Sequence, residues 1–351
     1  MISDYAARLL VAEPGFFKES GCAHSYLEDD PVPEEVATLL ARACFVLIKP
    51  DALLSGKAGQ IFEFLESFGL QIVDSFLVQK PQEWHFEELY KYNLTLMNSQ
   101  NQISVWWLNR QIYTYGPSLA AVLVAPENGP SAVDLVARIK GPSTPRLCKP
   151  EHLRWRFHAT NSALNLFHAS DGPISSWREW AIFRSKADRI AALMSVLQTD
   201  RALNPWHSLA AGFEHSKESF EFYSTLISVK LRALAAACRS LGPLADKLER
   251  IYLEALGRKA NNPTQEVQLI DRLLTAESKA LELINRKSIE FNYSVKLILA
   301  LNKIPIKTPN GIDDLFRIIK CSDVHLNTRE SMVLSTSIRY MTDNRRDQFS
   351  R

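Results

Sequence analysis

Between residues 44 and 183 short apolar runs alternate with amphipathic stretches, and beyond about residue 185 they do not. This change of period divides the chain before any motif is considered. CFVLIK at 44–49 is a continuous apolar run stopped by Pro50-Asp51, the pattern of a buried strand ending in a turn. GQIFEFLESFG at 59–69 places Ile61, Phe62, Leu65 and Phe68 at helical spacing and stops at Gly69. LQIVDSFLVQ at 70–79 is rich in β-formers, and WHFEELYKYNLTLM at 84–97 has a helical period. SLAAVLVA at 118–125 reads as a strand between Pro117 and Pro126, and SAVDLVARIKG at 131–141 as a helix closing on Gly141. PISSWREWAIF at 173–183 is a helix with Pro173 near its first turn. Such alternation predicts an α/β or α+β sandwich with a small, mostly antiparallel sheet.

From 185 onward the periods are helical. Leu244, Leu248, Ile251 and Ala255 form one apolar stripe. In the next helix Asn262 is placed as N-cap, with Pro263 at N1 and Gln265 at N3, and Ile270, Leu274, Leu281 and Ile284 mark a buried face. Further helices fit 215–240, 289–303, 311–320 and 328–341. The expected organisation is an N-terminal extension at 1–40 with a short helix at its end, an α+β domain at 41–184 and an all-α domain at 185–351.

Composition narrows the functional classes. A net charge of +2 offers no large basic field, so nucleic acid is not the expected partner. Five widely spaced cysteines form no CxxC, which argues against a disulfide framework or structural zinc and fits a reducing cytoplasm. The N-terminus lacks the basic n-region of a signal peptide, and no run of about eighteen apolar residues suggests a membrane span. His207, His215 and His325 are scattered and read as structural. GKAG at 56–59 lacks the earlier glycine and the Ser/Thr of a phosphate loop, and reads as the turn into a helix.

One stretch asks for more. NLFHASDG at 165–172 sets a histidine between apolar residues and a Ser-Asp pair; alone, such a residue is ordinarily structural, capped by a local turn. Other pieces shift that balance. FVLIKPD occupies 45–51, NLFHASD occupies 165–171, and Glu179 follows His168 by eleven positions. Tyr90, YGP at 115–117 and GPSTP at 141–145 fall in order between them. Together these motifs resemble the nucleoside diphosphate kinase family over 44–183.

The resemblance implies a ferredoxin-like α/β sandwich with a small antiparallel sheet, followed here by the all-α domain. It implies transfer of the γ-phosphate of ATP through a phosphohistidine at His168 to a nucleoside diphosphate, with Mg²⁺ riding on the nucleotide. Imidazole suits the task, being neutral at pH 7 and a good leaving group once phosphorylated, provided a carboxylate on its second nitrogen fixes the tautomer. The resemblance gives that role to Glu179. It places Ser170 at the transferred phosphoryl group or its leaving oxygen, and Asp171 in ordering the turn or reaching the ion through water. Lys49, Arg154, Arg138, Tyr90 and Ser143 are expected at the phosphates, and Asn165 near the ribose and phosphates.

Four departures stand out. Ala169 replaces the family glycine after the histidine, which would be strained if that position needs positive φ. The segment between Tyr90 and YGP is longer than usual and holds Trp106 and Trp107. Ala137 stands where the family has an arginine and Arg138 follows. The segment between Arg154 and His168 is one residue longer than the family's. The family forms hexamers or tetramers, so a homo-oligomer is compatible with the resemblance, as is a protein partner for the helical domain. Two other readings fit the same residues: a nucleotide-binding regulatory or scaffold protein, and a kinase for an unusual nucleotide in a specialised biosynthetic or defence pathway.

Overall fold

The computed structural model describes residues 4–92, 106–197, 206–284, 292–304 and 311–346. The chain packs as two compact units. The first comprises residues 1–142, 148–157 and 166–218; the second comprises 143–147, 158–165 and 219–351.

The first unit is built on a four-stranded antiparallel sheet. Its strands are β1 (Ala43–Ile48), β2 (Gln71–Val78), β3 (Ser118–Val124) and β4 (Phe167–Ala169), in the order β2-β3-β1-β4. β1 is interior, paired with β3 from Ala43↔Val124 to Ile48↔Leu119 and with β4 at Leu47↔His168. Every residue of β1 is buried, which explains why its sequence is continuously apolar rather than alternating. β2 pairs with β3 across an irregularity between Ile72 and Asp74.

Between the strands run α5 (Pro50–Leu53), α6 (Ala58–Glu66), α7 (Glu83–Leu89), α8 (Trp106–Tyr113), α9 (Ala132–Lys140) and α10 (Leu153–Arg156), and α11 (Pro173–Ala181) follows β4. Gly56, at φ 71°, makes the turn into α6. The helix expected over 84–97 has the bounds Glu83–Leu89, and residues 93–97 lie outside the described residues. Ser131 caps α9 by accepting the Asp134 N–H at 3.1 Å.

Residues 4–40, the N-terminal extension, fold into four helices: α1 (Asp4–Ala12), α2 (Gly15–Glu19), α3 (Cys22–Asp29) and α4 (Glu34–Leu40). They are short and separated by Pro14, Gly21 and the Pro31–Pro33 stretch, so no single one shows a long period. Their buried Leu9, Phe17, Leu27, Val36 and Leu40 share one core with Phe45 and Leu47 of β1 and with Ile174, Trp177 and Trp180 of α11. Beyond α11, α12 (Lys186–Met194) and α13 (Trp206–Ala211) also pack with the sheet unit. Trp206 lies 5.1 Å from the Phe62 ring, and Tyr115 donates to Glu218 at 2.8 Å.

The second unit is helical. Its long members are α14 (Phe222–Leu241), α15 (Pro243–Leu256) and α16 (Pro263–Leu281), followed by helices Tyr293–Asn302, Gly311–Cys321 and Thr328–Arg346. The helix expected from 215 begins at Phe222, because residues 215–221 are not helical. Asn262 caps α16 as its sequence implied, accepting the Gln265 N–H at 2.9 Å. Asn161 ties its own loop, accepting from Ala163 and Leu164, and donates to Thr336 and Ser337.

At the centre Lys230 and Glu277 form a fully buried ion pair at 2.7 Å. Tyr252 donates to the same carboxylate, as does Asn302 at 2.6 Å. Burial pushes the Lys230 amine below its ordinary value, with Glu277 opposing. Removing one member of a dry pair strands the other charge. Lys230→Met is therefore expected to cost about 3–5 kcal/mol, read by urea unfolding. Adding Glu277→Gln to that variant should recover part of the loss.

Candidate active site

His168 is the middle residue of the edge strand β4. Its Nε2 lies 2.8 Å from Oε2 of Glu179 on α11. A carboxylate can only accept, so Nε2 carries the proton and Nδ1 keeps its lone pair. The Tyr90 hydroxyl donates to that Nδ1 at 3.3 Å, and lies 3.2 Å from the Tyr113 hydroxyl. Glu179 also accepts from the Ser170 hydroxyl at 2.6 Å and from Arg178 at 3.3 Å. Burial pushes the Glu179 carboxyl up, but His168, Arg178 and Ser170 outweigh it and hold it below the ordinary value. The site thus contains an ionised, fully bonded carboxylate that selects one histidine tautomer.

The Lys-Pro-Asp turn after β1 serves this strand in two ways. Lys49 is 1 % exposed, and its amine lies 5.3 Å from the centroid of the Tyr113 ring. Burial brings its pKa down to about 8, against the pull of Asp51. Asp51 accepts the Leu166 N–H at 3.0 Å, and the Lys49 N–H donates to the Leu166 carbonyl at 3.0 Å. Leu166 sits at φ 73°, a left-handed conformation that a bulky residue adopts only where its surroundings enforce it. The two bonds hold that strained residue two positions before His168. Burial raises the Asp51 carboxyl, and Lys49 is the leading influence against it.

Arg154 is buried, with its guanidinium on two carbonyls: Gly141 at 2.6 Å and Phe167 at 3.2 Å. It braces the outer edge of β4 against the end of α9. Gly141 has φ 72°, and a side chain there would overlap the His152 ring. Arg138 is exposed on α9; the cation that α9 turns toward β4 is Lys140, 3.5 Å from the Ala169 carbonyl. Ala169 lies in regular strand backbone, and among the described residues only His158 and Leu166 are non-glycine residues with positive φ. The substitution for glycine is therefore unstrained. Asp171 is exposed in the turn before α11.

Asn165 and Ser143 belong to the second unit. Asn165 donates to the Ser162 carbonyl at 2.8 Å, and Ser143 is exposed. The long segment after Tyr90 falls largely on residues 93–105, outside the described residues, as do the side chains of Trp106 and Trp107. Its last helix, α8, delivers Tyr113. Asp51 and Tyr113 were not singled out as site residues from sequence. Asp51 carried a signal in KPD, whereas nothing local marks Tyr113.

The edge strand of an antiparallel sheet thus presents a histidine oriented by a buried carboxylate, and a buried lysine follows the neighbouring strand β1. The family model for nucleoside diphosphate kinase matches residues 42–188. The nucleoside diphosphate kinase of Ignicoccus hospitalis is 32% identical over 139 residues, which are 40% of this chain and 86% of that protein. That of Saccharolobus solfataricus is 27% identical over 150 residues, 43% of this chain and 99% of its own length. A crystal structure of the Aquifex aeolicus enzyme is 25% identical, covering 42% of this chain and 96% of that one, with a TM-score of 0.35. The chain belongs to the nucleoside diphosphate kinase family.

The buried amine makes a pH-dependent prediction. As pH rises through about 8, Lys49 loses its charge, so affinity for ADP should fall. An incoming anion favours the charged amine, so binding near that pH should take up a proton. Calorimetry in buffers of different ionisation enthalpy reads both effects, and Lys49→Met should abolish them.

Proposed function

We propose that this chain is a phosphotransferase that moves the γ-phosphate of ATP, through a phosphohistidine at His168, to a nucleoside diphosphate. The observation that carries the reading is the commitment of Nε2 to Glu179 at 2.8 Å, which leaves Nδ1 as the nucleophile. Its lone pair attacks the γ-phosphorus, the N–P bond forms, and the bond to the β–γ bridging oxygen breaks with its electrons leaving on ADP. Positive charge on the phosphorylated ring is stabilised by Glu179. A terminal phosphate oxygen of the acceptor diphosphate then attacks the same phosphorus, and the N–P electrons return to Nδ1.

Tyr90, now bonded to Nδ1, is placed to transfer its hydroxyl bond to the incoming phosphoryl group. Lys49 supplies positive charge beside the Tyr113 ring, and Ser170 acts through Glu179. Arg154 keeps β4 in place. Contact of Arg138 with the nucleotide remains part of the proposal.

Among the described residues no group of three or more His, Cys, Asp or Glu could hold a metal. The exposed Asp171 suits an ion that arrives on the nucleotide's phosphates and is reached through water. Mg²⁺ so carried would screen the phosphate charge as the nucleophile approaches. No helix among the described residues is long and apolar enough to cross a membrane, and placing the protein in a reducing cytoplasm is our reading of five widely spaced cysteines that form no CxxC.

Incubation with γ-labelled ATP and Mg²⁺ should give an acid-labile, base-stable label that a nucleoside diphosphate discharges. His168→Ala should take no label. Glu179→Gln, which loses the charge that fixes the tautomer, should slow labelling by about two to four orders of magnitude. A folded wild-type protein that binds nucleotide yet takes no label overturns the proposal.

A further inference from the structure

Residues 158–165 belong to the helical unit, although the chain on either side, 148–157 and 166–218, belongs to the sheet unit. The excursion begins at His158, with φ 57°, and ends beside Leu166, with φ 73°; among the described residues these two are the non-glycine residues of positive φ. A bulky residue keeps left-handed backbone only where its surroundings enforce it. On the sheet side the enforcement at Leu166 is the pair of bonds to Asp51 and Lys49. Those bonds fix the end of the segment that meets β4.

Asn161 ties down its middle and is 6 % exposed. Its Oδ1 accepts the Ala163 and Leu164 N–H groups at 2.9 and 2.8 Å, and its Nδ2 donates to the Thr336 and Ser337 hydroxyls, both at 3.0 Å. One amide thus shapes the turn and attaches it to helix Thr328–Arg346. The Thr160 hydroxyl adds a bond to the Phe220 carbonyl at 2.9 Å, and the Ser162 and Thr144 hydroxyls lie 3.2 Å apart. Thr336 and Ser337 are both buried. Without their hydroxyls the Asn161 amide would lose its acceptors in a dry interior, which costs more than an ordinary hydrogen bond.

We propose that Asn161 is a positioning residue for the transfer reaction, and that the helical unit, through Thr336 and Ser337, is part of what holds the nucleophile strand. The proposal rests on His168 being the nucleophile. The segment runs directly into β4, so slack at Asn161 reaches His168 along the backbone, past Leu166. Lys49, Tyr90 and Arg138, the groups assigned to the phosphates, lie outside the segment. Its loosening therefore acts on the step at Nδ1 and not on nucleotide affinity.

The test is Thr336→Val with Ser337→Ala in the full chain, which removes both acceptors and leaves Asn161 and the groups around His168 in place. Thr336→Ser, which keeps a hydroxyl, is the control and should label at the wild-type rate. In rapid-quench labelling with γ-labelled ATP and Mg²⁺, the double variant's rate constant for His168 phosphorylation should fall by about one to two orders of magnitude, at full labelling amplitude and with unchanged affinity for ADP. A merely structural role would lower the amplitude, by reducing the folded fraction, and leave the rate constant alone. Hydrogen exchange reads the link without the chemistry: the Leu166 N–H should lose protection in the double variant while the β1 amides keep theirs. A wild-type rate constant or wild-type protection at Leu166 overturns the proposal. If the double variant does not fold, Ser337→Ala alone is judged by the same two criteria. If the wild type itself takes no label, the transfer reading has failed and exchange at Leu166 alone decides. Lost protection then keeps the hold on β4, and retained protection removes it.

Discussion

The hydrogen bond between His168 and Glu179 requires two segments of different kinds to meet: a three-residue edge strand and a helix that follows one turn later. Neither is stable in isolation, because β4 is short and α11 has only nine residues. What holds them is burial. Trp177 and Trp180 seat α11 against β1, and the pairing of Leu47 with His168 seats β4 beside the same strand. β1 is therefore the common reference for nucleophile and carboxylate. Its uniformly apolar sequence is the cost of being covered on every side.

Around that axis polar groups have divided roles. Arg154 serves carbonyls at the outer edge of β4, Asp51 clamps Leu166, and Ser170 and Arg178 complete the shell of Glu179. Lys49 stands by the Tyr113 ring as a buried cation. The left-handed Leu166 shows how firmly the approach to His168 is fixed, since such backbone persists only when its neighbours over-determine it. Rigidity before the nucleophile and a bonded carboxylate behind it are the two ingredients of preorganisation.

Much of this was readable from the chain. The strands and helices of 44–183 follow from period and from punctuation by Pro and Gly, and the Asn262 cap follows from local chemistry. His168, Glu179 and Tyr90 were linked by motif, and they do converge. What could not be read depends on distant partners. Arg154 is legible as a cation, but its choice of carbonyls over a free guanidinium is set by the edge of β4. Lys140 reaches β4 where Arg138 does not, a matter of helix phase that one residue decides. Glu13 accepts the N–H of Ile174, 161 positions away, and its segment has no long period to announce a packed helix. Helices of five to nine residues around prolines leave a weak sequence trace, although they bury as firmly as longer ones.

In the helical unit, Glu277 of α16 takes its donors from three other helices: Lys230 from α14, Tyr252 from α15, and Asn302 at the end of Tyr293–Asn302. No pair of these helices can satisfy it. An assembly lacking any one of them strands a polar group in a dry interior, so partial bundles are disfavoured as a class. The consequence is cooperativity. Amide protons on four separate stretches of sequence should share one opening free energy, and a nick in any one of the four helices should be felt by the other three.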